Sequence, residues 1–280
     1  MHKYQDILVQ TENSITTITL NRPAKLNAWT PLMADEVRHA IGEAGNSSAT
    51  RCIVITGAGR GFCAGADIGR LENRADGGKA TGQETPYPNE VSYPDAPGPD
   101  VGKSYSGRFG YLGACPKPVI AAINGACAGI GLVLALFADM RFTSDTAKFT
   151  TSFAARGLIA EHGVAVLLPR LVGEAQALDL LLTARRFTGA EAAELRLVNK
   201  SLPDDQLMDH VYSVARRLAN DVSPLSVAVI KRQVRAAYQQ SFAESLAIAD
   251  QEMGRSFDSA DFKEGVKSFV ERRVPAFKGV

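Results

Sequence analysis

Lys117–Asp139 reads KPVIAAINGACAGIGLVLALFAD, and residues 118–138 between its two ends carry no charge. A run of 21 residues is long enough for a membrane span, which needs about 20. The run is interrupted, however. Asn124-Gly125 is a turn dipeptide, and glycines recur at 129 and 131. The stretch is therefore expected to be a buried strand (Val119 to Ile123), a turn, and a buried helix (Gly129 to Ala138). A short, wholly apolar strand of this kind belongs to a parallel sheet covered on both faces. No second such run exists, and the polar start MHKYQDIL does not read as a signal peptide.

Working outward, the neighbouring segments continue the β/α pattern. Ile7 to Gln10 and Ile15 to Leu20 read as a hairpin with Glu12-Asn13 between its arms. Thr30-Pro31 caps and opens a helix with Leu32, Met33, Val37 and Ala40 at helical spacing. RCIVIT, residues 51–56, is another parallel-type strand, and a short helix is expected from Ile68. Met140 to Thr143 is a third strand. Val164 to Leu171 and Glu174 to Leu182 read as helices. Residues 73–105 break the pattern with Pro86, Pro88, Pro94, Pro97 and Pro99, so this stretch is either a lid or a mobile excursion. Its Tyr87, Tyr93 and Tyr105 are candidates to line a pocket. From Pro203 the chain is helical: Leu207, Val211, Val214 and Leu218 mark one face, Ser223-Pro224 caps the next helix, and two more cover about 242–254 and 261–273. The expected organisation is an α/β core over residues 1–200 and a helical region over 201–280. No repeat is seen in the sequence.

The chain has 280 residues, 45% apolar and 22% charged, long enough to bury a core without metal or disulfide staples. Its 31 basic and 30 acidic residues leave a net charge of +1, which argues against nucleic acid or a membrane surface held by bulk charge. The cysteines at 52, 63, 115 and 127 lack CxxC spacing, and the histidines are scattered. No zinc site is expected, and the setting expected is a reducing cytoplasm.

Two strands run into glycine-rich turns and then helices: CIVIT into GAGRGFCAGADI, and VIAAI into NGACAGIGLVLAL. The first N–H groups of a helix lack internal partners and attract negative charge. Two such starts facing one another would cradle an oxygen that gains charge during a reaction, the physics of an oxyanion hole. Gly59-Arg60-Gly61-Phe62-Cys63-Ala64 also fits GxGxxG/A after a strand, but the proline-rich stretch stands where a dinucleotide fold would return to its sheet. Tight packing at both turns is the remaining alternative.

Read together, Asn21-Arg22-Pro23…Asn27-Ala28, Gly61-Phe62-Cys63-Ala64-Gly65-Ala66-Asp67-Ile68, Lys117 to Gly125, Ala138-Asp139-Met140-Arg141 and the tail from Lys263 to Phe277 resemble the crotonase (enoyl-CoA hydratase/isomerase) superfamily. The resemblance implies a crotonase-like spiral of ββα units with a C-terminal helical trimerisation region, assembled as a homotrimer or hexamer. It implies an acyl-CoA thioester as substrate, and no cofactor beyond the CoA moiety. The thioester oxygen would be held by the N–H groups of Ala66 and Ile130. Arg22, Lys25, Ala28, Ala64, Asp67 and Ile68 would surround the CoA, with Lys278 reaching a neighbouring subunit's ligand. Each basic residue could equally be plain surface charge. The run Lys231-Arg232…Arg235 reads as a solvated helix face.

The hydratase branch of this superfamily carries two glutamates, whose places here hold Val133 and Phe153. The usual two-carboxylate hydration is therefore unavailable. Glu161 stands four residues past Gly157, where the dienoyl-CoA isomerase branch carries an aspartate. Its neighbours Leu158, Ile159, Ala160, Val164 and Val166 are expected to desolvate it and so raise its pKa towards the working range of a general acid/base. The alternative is an acid favoured by the start of the next helix. His162 beside it either orients Glu161 or moves a proton itself. Tyr238, Glu244 and Glu252 on the late helices are more distant candidates. The reading is an enoyl-CoA isomerase or hydratase. A hydrolase of the same superfamily, a retired CoA- or RNA-binding homologue, and a dinucleotide oxidoreductase are the competitors.

Overall fold

A computed structural model describes residues 3–67, 69, 72, 76, 91–102 and 104–280. Most of the helix expected from Ile68, in which Gly69 and Glu72 are described and helical, lies outside the described residues, as do the tyrosine at 87 and most of the proline-rich stretch.

The expected hairpin forms, with its first arm reaching Glu12 and its turn one residue later than read, at Asn13-Ser14. Strands β1 (Ile7–Glu12) and β2 (Ile15–Leu20) pair antiparallel with Ile7 opposite Leu20. Asn13 and Ser14 turn the corner, both with positive φ (50° and 62°), the combination that suits a two-residue hairpin. Helix α1 (Pro31–Asn46) follows, its Thr30 hydroxyl accepting from the Met33 amide at 3.0 Å. β2 then pairs parallel with β3 (Cys52–Gly57).

Beyond β3 the chain repeats one step. A strand of the first sheet is followed by a three-residue strand of a second sheet. β3 leads to β4 (Gly61–Cys63). β5 (Val119–Ile123) leads to β6 (Ala126–Ala128) and helix α3 (Ile130–Phe137), a five-residue helix α2 (Gly110–Ala114) having come before it. β7 (Met140–Ser144) leads to β8 (Lys148–Thr150). The first sheet runs β1-β2-β3-β5-β7-β10, with β10 at Lys200–Leu202. The second runs β4-β6-β8-β9, with β9 at Phe187–Thr188. Both sheets grow in the same direction, one strand per step, which makes the spiral. The repeat lies in the backbone path and leaves no trace in the sequence.

The first sheet buries both faces, and its residues alternate between two cores. Ile53, Ile55, Val119, Ala121 and Ile123 face α1, α3 and the second sheet. Cys52, Val54, Ile120, Ala122 and Phe142 face helix α7 (Leu207–Asn220), which lays Leu207, Val211, Ala215 and Ala219 on them. Between these, α4 (Val164–Val172), α5 (Glu174–Thr183) and α6 (Gly189–Glu194) pack around the core. The chain ends in α8 (Pro224–Ala237), α9 (Phe242–Asp258) and α10 (Ala260–Glu271). Among the described residues, no helix is long and apolar enough to cross a membrane.

Two expectations are corrected. The described part of the proline-rich stretch is no loose excursion. Val91 packs closely over Gly42, while Tyr93 lies over Gly45 and Tyr105 over Gly113 at places where an added Cβ would collide. The Tyr93 hydroxyl also donates to the Tyr111 carbonyl at 3.1 Å. Nor is Lys231-Arg232…Arg235 a solvated face. Lys231 and Arg232 are buried. The Lys231 ammonium donates to the carbonyls of Leu112 (3.1 Å) and Lys117 (3.0 Å) and meets Asp139 at 2.7 Å; Arg235 meets the other Asp139 oxygen at 3.0 Å. A carboxylate and main-chain oxygens replace the water these cations would lose on burial.

Candidate active site

The two glycine-rich turns lie side by side because β4 and β6 are neighbours. Cys63 is the register partner of Cys127. Three residues beyond each stand Ala66 and Ile130. Adjacent strands lie roughly 4.8 Å apart, so the two segments leave the sheet together. A Cβ on Gly65, at φ +108°, would meet the Ala128 carbonyl at 3.3 Å, and a Cβ on Gly131 would come within 2.2 Å of the Cys63 carbonyl. Only glycine allows that approach.

Trp29 brackets Ala66. Its N–H donates to the Gly65 carbonyl at 2.8 Å, and its own carbonyl accepts from the Asp67 N–H at 3.2 Å. The Ala66 amide therefore faces away from this bridge. Ile130 is the first residue of α3, and the helix's own bonds begin with Val133 N–H to Gly129 O at 3.1 Å. Neither the Ala66 nor the Ile130 N–H finds an acceptor among the described residues.

Two asparagines tie the turns in place. The Asn27 amide, fully buried, donates to the carbonyls of Ala58 (3.0 Å) and Gly61 (2.7 Å) and accepts from the Arg22 N–H at 2.8 Å. Asn124 donates to the carbonyls of Gly57 and Gly59, each at 2.9 Å, and accepts from the Gly57 N–H. The sequence reading saw Asn124 only as a turn residue. Their interest lies in the long-range partners, which spacing does not reveal.

Glu161 and His162 sit in the loop before α4. The Glu161 carboxylate lies 3.7 Å from His162 Nε2. His162 has φ +55°, and its ring stands edge-on to Phe109, centroids 6.3 Å apart. Phe109 also contacts Phe137 at the end of α3 (6.0 Å) and Trp29 (5.5 Å). A row of rings thus runs from the Ala66 turn to the Glu161 loop. The helix-start alternative for Glu161 is not seen: α4 begins at Gly163 with no side-chain cap and no acid in its first turn. The expected desolvation differs too. The Glu161 side chain is 35% exposed in the single chain, because Leu158, Ile159 and Val166 turn outward. Val133, one turn along α3 from Ile130, and Phe153 are both buried.

The other expected site residues are divided. Arg22 donates to the Ala28 carbonyl at 2.6 Å and to Asp67 at 3.1 Å, with Asp6 at 3.8 Å, so its charge is opposed. Ala64 donates its N–H to the Leu26 carbonyl at 3.0 Å, and Lys25 is exposed beside them. Ile68 lies outside the described residues. Lys278 is exposed near the opposite end of β3, where Arg51 donates to the Phe277 carbonyl. The six residues of β3 put about 20 Å between that end and the turns. Within one chain, Lys278 is not brought to the others. Glu244 closes the capping box of α9, Glu252 pairs with Arg255, and Arg170 lies over the Tyr238 ring. Among the described residues, no group of three His, Cys, Asp or Glu is placed to hold a metal ion.

Cys63 and Cys127 flank the turns but are not nucleophiles. Burial pushes the Cys63 thiol up to about 12 and raises that of Cys127 well above its ordinary value. All four cysteines are free and buried. Ellman's reagent at pH 8 is expected to find no fast-reacting thiol in the native chain and four after unfolding. A second outcome tests the contact between the turns. Glycine to alanine inside a helix normally stabilises by about 1 kcal/mol. Gly131→Ala is instead expected to destabilise by about 1–3 kcal/mol in urea titration, because its methyl meets the Cys63 carbonyl.

The spiral of paired sheets with two facing glycine turns defines a crotonase-type fold, and the chain belongs to the enoyl-CoA hydratase/isomerase family, which it matches over residues 10–92 and 96–280. Among its relatives is the 1,2-epoxyphenylacetyl-CoA isomerase of Escherichia coli, 32% identical over 277 residues and covered to 98% in both chains. Solved structures are similar throughout. The enoyl-CoA hydratase of Bacillus anthracis superposes with a TM-score of 0.84 at 28% identity, covering 99% of this chain and 100% of that one. That of Mycobacterium tuberculosis gives 0.83 at 27% identity, covering 98% and 99%.

Proposed function

We propose that the chain is an acyl-CoA isomerase that stabilises a thioester enolate between two backbone amides. The observation that carries this reading is the equal step from Cys63 to Ala66 and from Cys127 to Ile130 on paired strands, with no acceptor for either amide among the described residues. The Glu161 carboxylate takes a proton from C2 of a 3-enoyl thioester. The electron pair moves through the carbonyl carbon to the thioester oxygen, where the Ala66 and Ile130 N–H groups hold the charge. Glu161 then returns the proton to C4, leaving the 2-enoyl isomer. His162 Nε2, 3.7 Å away, orients the carboxylate.

One carboxylate suffices for this transfer, whereas hydration needs one group to activate water and another to deliver a proton. Val133 and Phe153 provide neither. Lys25 and Arg22 supply positive charge for the CoA phosphates, with Ala28, Ala64, Asp67 and Ile68 around the nucleotide. In this reading Arg22 exchanges Asp67 for a phosphate, and Lys278 serves the ligand of an adjoining subunit. Exposed apolar side chains on α9 and α10, among them Phe242, Leu246, Phe269 and Val270, support a homotrimer or a pair of trimers. The free cysteines suit a reducing cytoplasm.

The test is spectrophotometric conversion of cis-3-enoyl-CoA to trans-2-enoyl-CoA, with hydration of trans-2-enoyl-CoA measured alongside. Isomerisation outpacing hydration is expected. Hydration at equal or greater rate would overturn the reading.

A further inference from the structure

A groove of about 420 Å³ opens where the far end of α3 meets α4, α7 and α8. Pockets for small ligands run from roughly 300 to 1,000 Å³. Most of its wall is hydrocarbon, including Leu136, Leu167, Leu171, Leu218, Ile230 and Val234. Its charge is one-sided. Arg141, Arg170, Lys231 and Arg235 line it, and among the described lining residues Asp139 is the one acid. Lys231 and Arg235 share that carboxylate at 2.7 and 3.0 Å. Arg141, 7% exposed, is left with main-chain oxygens. Its Nε donates to the Leu197 carbonyl and its Nη1 to the Ala138 carbonyl, each at 2.8 Å, while Nη2 meets no acceptor among the described residues. Burial, with the Arg235 charge alongside, draws this guanidinium down to about 10, as befits a cation short of an anion. Arg170 pairs with no carboxylate among the described residues and lies over the Tyr238 ring at 3.9 Å. Positive charge set among hydrocarbon is costly unless an anion meets it.

We propose that this groove is a second ligand site, which takes an amphipathic carboxylate: an anionic head on the Arg141 and Arg170 guanidinium groups and an aliphatic tail along Leu167, Leu171, Ile230 and Val234. The planar donor fork of arginine matches a carboxylate, and the apolar wall favours a hydrocarbon tail over water. Ile130 stands at the opposite end of α3, whose eight residues span about 12 Å. The groove is therefore separate from the two facing amides and does not depend on the function proposed above.

The test is calorimetric titration of the full chain with octanoate, octanol and octylammonium. Octanoate is expected to saturate one site per chain and to bind about tenfold more tightly than octanol, the gain of a charge-assisted hydrogen bond. Octylammonium should bind more weakly than either. Arg170→Gln should remove most of the octanoate gain and leave octanol binding unchanged. Val234 is 57% exposed on α8, so Val234→Glu should keep the parent circular dichroism while its carboxylate repels the ligand's head and abolishes octanoate binding. Saturating CoA should leave octanoate affinity unchanged. The inference is overturned if octanoate does not bind, if octanol binds as tightly, if both variants bind octanoate like the parent chain, or if CoA displaces it. A groove already filled by a second copy of the chain overturns it as well. That outcome shows as no octanoate binding by the parent together with a lighter particle on sedimentation of Val234→Glu.

Discussion

Glu161→Gln is expected to lower isomerase turnover by about 100- to 10,000-fold, the range a positioned general acid/base contributes. Glutamine keeps the size and much of the hydrogen bonding of the side chain and removes the proton acceptor. Binding of the thioester should survive, because the Ala66 and Ile130 amides, the ring row and the basic residues are untouched. The expected pattern is therefore a fall in kcat with little change in the dissociation constant of the product thioester. His162→Gln should be milder, about tenfold, since that ring touches the carboxylate at 3.7 Å without being needed to carry the proton. Unchanged turnover in Glu161→Gln would remove it from the mechanism and turn attention to His162.

The largest stability loss is expected far from that carboxylate. Asp139 receives Lys231 at 2.7 Å and Arg235 at 3.0 Å, and also accepts from the Val119 N–H at 2.8 Å. Asp139→Asn retains the shape but leaves the buried Lys231 and the half-buried Arg235 without an anion, an uncompensated burial that costs about 3–5 kcal/mol. The neighbourhood worsens the loss. Burial, with the Arg235 charge alongside, already pulls the Arg141 guanidinium down to about 10. Urea titration followed by far-UV circular dichroism measures the effect. Adding Lys231→Met to Asp139→Asn should recover part of the loss, because one of the stranded charges goes with it. A loss under about 1 kcal/mol would place these three residues among surface ion pairs in energetic terms.

The misreading of Lys231, Arg232 and Arg235 shows where sequence reasoning stops. Their partners lie roughly a hundred residues or more earlier (Asp139 and the carbonyls of Leu112 and Lys117 for Lys231, Asp139 for Arg235, the carbonyls of Ala96 and Pro97 for Arg232), and spacing along one helix carries no record of them. The hairpin, the other longer strands of the first sheet and the helices capped by Thr30 and Ser223 were legible because periodicity and turn residues act locally, whereas the three-residue β10 was not. The second sheet was not. Its strands are two or three residues long, too short for any alternation to register. At the site, the glycine turns announced a close approach of backbones, and Gly65 and Gly131 make it. Glu161 stood out as an acid in an apolar setting, although exposed Ile159 and Val166 show that apolar neighbours in sequence need not be neighbours in space.

The shared register of Cys63 and Cys127 has one more consequence. In the proposed function, the Ala66 and Ile130 amides each stand three residues past a paired strand position, so main-chain pairing, and not side-chain identity, governs how far apart the two segments start. Such a gauge survives any exchange of the residues around it. Under the proposed function, the places held by Val133 and Phe153 can go without a proton carrier and Glu161 can supply one without the amide pair being rebuilt. The scaffold separates what must stay constant, a fixed pair of donors, from what selection is free to move, and one architecture can in this way be turned from one reaction to another.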